Sequence, residues 1–131
     1  MDGPDFDYSS NVVGITAVRM LMLGHRPKGH AVAQKDISTA FLQSHPFPDD
    51  VPLRYVRLKD PVMGEVRFFR QLGPIYGSKS APKFWELTLH PWLVSVGFEQ
   101  GTNEPCVFRH AELGVTLAAY VDDLLALGPR T

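Results

Sequence analysis

Leu117-Ala118-Ala119-Tyr120-Val121-Asp122-Asp123-Leu124-Leu125-Ala126-Leu127-Gly128 sets two adjacent carboxylates between two apolar runs. Each run is long enough for a short strand, and neither contains Pro or Gly before Gly128. The simplest geometry is a β-hairpin whose tight turn carries Asp122 and Asp123, because Asp tolerates turn conformations. Two neighbouring carboxylates repel unless a cation lies between them. The pair therefore directs attention to a third carboxylate and to a metal.

Working outward, residues 115–121 read as the strand entering that turn, and residues 106–110 as the strand before it, joined through Ala111-Glu112-Leu113-Gly114. Far upstream, residues 30–37 also read as a strand, with Asp36 at or near its end, followed by a turn or short helix over residues 38–43. If these strands are neighbours, Asp36, Asp122 and Asp123 meet at one sheet edge. Oxygen-only ligands select hard cations, Mg²⁺ or Mn²⁺. Two such ions about 3.5–4 Å apart activate an attacking oxygen and stabilise a leaving phosphate oxygen. A lone Asp-Asp pair is more often a solvated turn. Tyr-x-Asp-Asp in an apolar hairpin, with a strand-end Asp that has an aromatic five residues on, is far more specific.

The remaining chain supplies layers. A helix over residues 12–23, capped by Ser10 or Asn11 and ended by Gly24, would bury Ile15, Val18, Leu21 and Met22. Residues 44–52 form a Pro-rich loop. Residues 53–59 and 65–72 alternate apolar with charged side chains and read as a hairpin with one wet face. Ser80 and Pro82 open a second helix whose apolar face is Phe84, Trp85, Leu89, Trp92, Leu93 and Val96; Pro91 should kink or split it. The order α, β, β-hairpin, α, β, β-turn-β predicts an α+β domain over residues 1–131, with helices packed on an antiparallel sheet.

Hydrophobic residues make up 44% of the 131 and charged residues 21%, which fits a folded, water-soluble chain. No stretch reads as a membrane span or a leader, and one cysteine, Cys106, excludes an internal disulfide and suits an intracellular setting, cytoplasm or nucleus. Net charge is −1, unevenly spread: residues 54–83 hold seven basic side chains against Asp60 and Glu65, and residues 84–131 hold two against six acidic. A basic middle beside an acidic hairpin suits a protein that holds a polyanion near a carboxylate-bound metal.

At this point a resemblance emerges. Tyr120-Val121-Asp122-Asp123 resembles the catalytic motif of reverse transcriptases. Asp36-Ile37-Ser38-Thr39-Ala40-Phe41-Leu42 resembles the first catalytic motif of copia-type LTR retrotransposon polymerases. Ile75-Tyr76-Gly77-Ser78-Lys79-Ser80-Ala81-Pro82-Lys83-Phe84-Trp85 is similar to that family's Tyr-Gly-Leu-Lys-Gln-Ala-Pro-x-x-Trp signature, with Ser78 and Ser80 in place of Leu and Gln. Val96-Gly97-Phe98, Glu104-Pro105-Cys106-Val107-Phe108 and Gly3-Pro4-Asp5-Phe6-Asp7-Tyr8 fit further segments in the same order.

The resemblance implies a polymerase palm, with Asp36, Asp122, Asp123 and the Ile37 carbonyl holding two Mg²⁺ or Mn²⁺ ions. It implies that Ala40, Phe41, Tyr76 and Gly77 bind a deoxynucleoside triphosphate, with Phe41 excluding a 2′-hydroxyl. Tyr120 and Lys79 would then lie toward an RNA or DNA template-primer. The family's basic fingers segment, thumb and ribonuclease H domain fall outside these residues, so an incomplete polymerase that needs further polyprotein segments is expected, inactive by itself. Competing readings are a degenerate relic, an RNA-binding α+β module using Tyr55, Phe68 and Phe69, and a two-metal nuclease core.

Overall fold

The computed structural model describes residues 7–130. The resemblance drawn from residues 3–8 therefore lies largely outside the described residues. In chain order come α1 (Ile15–His25), β1 (Ala31–Asp36), β2 (Arg54–Lys59), β3 (Val66–Gln71), α2 (Ala81–Ser95), β4 (Glu99–Gln100), β5 (Val107–His110), β6 (Val115–Tyr120) and β7 (Asp123–Gly128). Short 3-10 turns occupy Arg26–Lys28 and Ala40–Gln43. Five strands form one antiparallel sheet in the order β1-β7-β6-β5-β4, and β2 pairs with β3 separately.

The apolar runs of β6 and β7 place these strands at the centre. Alternation sends their side chains to both sides. Leu117 and Ala119 join Phe108 against Trp85, Leu89 and Leu93 of α2. Ala118 and Cys106 join Val13, with Ala17, Val18 and Leu21 of α1 packed over them. A helix thus covers each face, which is why the run from Thr116 to Ala119 is buried without interruption. The chain is mixed α+β, as expected.

Several local expectations are corrected. α1 begins at Ile15, not residue 12, and its cap position is Gly14, which has no capping side chain. Asn11 is engaged elsewhere: its backbone N–H donates to Glu86 Oε2 at 2.8 Å and its side-chain amide to Glu86 Oε1. Gly24 lies inside α1; the reversal comes at Gly29, whose φ of 65° takes the left-handed conformation that glycine permits. Ile15 and Met22 are exposed, so the buried stripe narrows to Ala17, Val18 and Leu21.

α2 is one uninterrupted helix, and Pro91 sits within it. Pro91 and Leu87, the residue whose carbonyl it leaves without an N–H, are both on the exposed side, where water can bond that carbonyl. Trp92 and Val96 are likewise exposed rather than buried. Ser80 makes no capping bond. It is wholly buried and accepts a hydrogen bond from the Arg54 guanidinium at 2.8 Å.

The β2–β3 hairpin has the expected pairing, but both its faces are largely exposed, not one. Its ladder closes on itself instead of joining the main sheet. Arg54, whose charge lies over the Phe47 ring at 5.0 Å, ties its base to the start of α2. The Phe47 N–H, bonded to the Leu72 carbonyl at 2.7 Å, holds the other strand's end. β4, two residues long, has no counterpart in the sequence reading. Among the described residues no helix is long and apolar enough to cross a membrane.

Candidate active site

The ladder between β1 and β7 sets Asp36 directly opposite Asp123. The next pair outward is closed by the Ile37 N–H, which donates to the Asp122 carbonyl at 2.9 Å. Hydrogen-bonded and open pairs alternate in an antiparallel ladder, so Asp36 and Asp123 form the open kind, in which side chains stand closest. Two segments 87 positions apart in the chain are thereby joined at one sheet edge.

Tyr120 also pairs with Asp123. The residues at the centre of the two-residue turn are therefore Val121 and Asp122, and Asp123 is the first residue of β7. This corrects the expectation that Asp122 and Asp123 share the turn. The correction matters, because it gives the two carboxylates different supports: Asp123 is fixed by ladders on both sides, and Asp122 by the turn. Val121 has φ 55°. Hairpins of this length need a positive φ at the first central position, where glycine is usual. A β-branched residue there is strained by roughly 1–3 kcal/mol.

Two contacts hold Val121. The Trp85 indole Nε1–H donates to its carbonyl at 2.8 Å, and its side chain packs on the α2 cluster. Thr39, in the turn after β1, has φ 52°. These two are the non-glycine residues of positive φ among the described residues, and each follows a strand that carries a site residue.

Asp36, Tyr120 and Asp123 share the face of the sheet covered by α1. A cavity of about 350 Å³ lies there, lined by Val13, Val18, Gln34, Tyr120 and Asp123 among others. Asp36 is exposed, and Asp122 and Asp123 are half-buried, so all can be hydrated. The donors available at this edge are carboxylate and carbonyl oxygens, with no thiolate or imidazole in the segments concerned, and that set suits a hard cation. As the side chains stand, no group of three His, Cys, Asp or Glu among the described residues converges enough to hold a metal. The donor chemistry suits a hard cation, while the side chains of the described residues do not converge into a cage for one.

The other sequence-predicted residues divide. Ala40 is fully buried in the α2 cluster. Phe41 packs on that cluster and sets its ring against Tyr76, centroids 4.8 Å apart. Gly77, with φ 88°, turns the chain just after Tyr76. Lys79 is exposed and makes no hydrogen bond or ion pair with described residues. Sequence reasoning missed Trp85 as more than core. The signal was available: a buried indole N–H must find an acceptor.

The chain matches the reverse transcriptase (RNA-dependent DNA polymerase) family over residues 1–130. It is 28% identical to the retrovirus-related Pol polyprotein from transposon RE2 of Arabidopsis thaliana, over 98% of this chain and 9% of that protein. It is 28% identical to the corresponding polyprotein from transposon RE1 of the same plant, over 95% and 9%. The polyprotein from transposon TNT 1-94 of Nicotiana tabacum is 29% identical over 96% and 10%. The chain thus spans about a tenth of the length of these relatives. No solved structure gives a significant match.

Proposed function

The chain belongs to the reverse transcriptase (RNA-dependent DNA polymerase) family, and from this we propose that it is the palm segment of a retrotransposon polyprotein that extends a primer 3′ end with deoxynucleotides. The observation that carries the reading is the Asp36–Asp123 pairing beside the Tyr120-Val121-Asp122-Asp123 turn. It brings the first and last motifs of the chain to one point.

In this reading Asp36, Asp122 and Asp123, with the Ile37 carbonyl, would hold two Mg²⁺ or Mn²⁺ ions, which when bound supply activation of the primer hydroxyl and neutralisation of triphosphate charge. The protein's own part is placement. The two ladders fix Asp123, and the Ile37–Asp122 bond keeps the turn against the end of β1. Phe41, Tyr76 and Gly77 form the nucleotide side of the site, while Ala40, expected there too, is fully buried and supports Phe41 from the core instead of facing a nucleotide. The Phe41 ring, backed by the α2 cluster and by Tyr76, has little room to yield, which suits a group that excludes a 2′-hydroxyl. Tyr120 shares the carboxylate face and would meet the primer end, and Lys79 would meet template or primer phosphate.

Because the relatives are about ten times longer, polymerisation is ascribed to this segment within a longer chain and not to residues 1–131 alone. The test is primer extension on an RNA template by a polyprotein carrying this segment. Asp122→Asn should abolish extension. Equal extension by both forms overturns the proposal.

A further inference from the structure

The β2–β3 register sorts the basic residues of the hairpin in a way its sequence alone does not display. Tyr55, Arg57 and Lys59 lie on one face, opposite Arg70, Phe68 and Val66. All six are exposed, Tyr55 and Phe68 by 63% and 69%. The opposite face carries Arg54 and Arg67, and both are engaged. Arg54 donates to Ser80 and to the Tyr8 hydroxyl, and Arg67 pairs with Glu65 at 3.1 Å. That inner face also bounds a groove of about 510 Å³ shared with Phe41 and Leu42. By contrast Arg57, Lys59 and Arg70 form no ion pair among the described residues, and no acidic residue occupies their face.

A hairpin whose two rings project into water with an unneutralised cation in every cross-strand pair of the same face fits one class of partner. Two of the cations face an aromatic across the ladder, in the pairs Tyr55–Arg70 and Arg57–Phe68, and Lys59 stands opposite Val66 in the next pair on that face. Side chains on one face of a strand recur about every 6.6–6.8 Å. Aromatic rings between basic side chains at such a repeat stack bases and neutralise phosphates along an extended strand. A protein partner would call for an apolar face with its charges at the rim, and here every cross-strand pair of the face carries a charge, the central one included.

We infer that the outer face of this hairpin binds single-stranded nucleic acid, with Tyr55 and Phe68 stacking bases and Arg57, Lys59 and Arg70 meeting phosphates. The inference rests on the polymerase reading only for the strand's identity, an unpaired template. Binding itself requires no catalysis.

The experiment measures binding of a labelled single-stranded RNA oligonucleotide to the 131-residue chain by fluorescence anisotropy across a salt series. Three phosphate contacts predict a log–log salt slope of about −2. Replacing Arg57, Lys59 and Arg70 by Ala should bring that slope close to zero. Tyr55→Ala and Phe68→Ala should each weaken binding between about 5-fold and 150-fold and leave the slope in place. Asp36→Asn and Asp123→Asn should bind as the parent does, so a catalytically dead chain that still binds separates this claim from the polymerase reading. Circular dichroism checks that each variant is folded. Absence of binding, binding indifferent to the outer-face substitutions, equal binding of duplex with no effect of Tyr55 or Phe68, or binding only to anionic lipid vesicles each overturns the inference.

Discussion

The Trp85 indole N–H holds the carbonyl of Val121, the residue of positive φ at the head of the turn between β6 and β7, at 2.8 Å. Trp85 is nearly fully buried in the α2 cluster, so the helix reaches through the core to the hairpin tip. A strained turn persists only where its surroundings over-determine it, and this bond is one such constraint. Trp85→Phe keeps most of the ring volume and removes the donor. It should cost about 1–3 kcal/mol in urea unfolding with an unchanged m-value, and Trp85→Ala about 3–5 kcal/mol. A negligible loss in Trp85→Phe beside a large one in Trp85→Ala would show that packing, and not the bond, is what counts.

Thr39 gives the converse prediction. Its φ of 52° is unfavourable for a β-branched residue, it is exposed, and its side chain caps nothing. Thr39→Asn places there a residue that tolerates the left-handed region. Stability should rise by about 0.5–1 kcal/mol, read from the shift of the urea midpoint. A fall would mean that the hydroxyl or methyl contributes something this geometry lacks.

His90 predicts a pH dependence. Burial lowers its pKa, with Glu86, 3.9 Å away, opposing and Lys83 adding to the shift. The folded chain therefore holds the ring neutral where the unfolded chain, titrating near 6.5, already takes up a proton. Stability should be fully present above about pH 7 and fall as pH drops through the unfolded value to the depressed folded one. His25, lowered first by burial and then by His30 and Lys28, acts with the same sign. His90→Gln should flatten part of the loss between pH 7.5 and 5.5 in urea titrations. A parent whose stability rose on acidification over that range would contradict the assignment.

Cys106 is buried and pushed up to about 11, chiefly by burial and then by the Glu86 and Glu104 charges. Its thiol should react with a disulfide reagent at pH 8 only when the chain opens. Labelling should therefore be slow in the parent and faster in Trp85→Ala, in step with lost stability. Rapid labelling of the native parent would show that the core between α1 and β6 is open.

What the sequence disclosed follows from how local the deciding physics is. The apolar runs around Asp122 and Asp123 announce central strands, and the hairpin over residues 53–72 announces itself by alternation. Asp36 could be matched to Asp123 because strand-end position and motif spacing are both linear properties. Helix ends were missed where the deciding contact was distant: Asn11 serves Glu86 on α2 instead of capping α1. The turn was displaced by one residue because glycine or aspartate is the usual occupant, and Val121 takes the strained position only with Trp85 holding its carbonyl. The hairpin's second wet face was illegible because nothing in its alternation tells whether another layer covers it.

The central claim, that Asp36, Asp122 and Asp123 form a hard-cation site, is tested most directly by Mn²⁺ titration of the isotope-labelled chain followed by NMR. Selective broadening should centre on the amides of Asp36, Ile37, Asp122 and Asp123, be relieved by competing Mg²⁺, and disappear in Asp123→Asn. Broadening centred elsewhere, for instance at Asp49 and Asp50, or a pattern indifferent to Asp123→Asn, would contradict the claim.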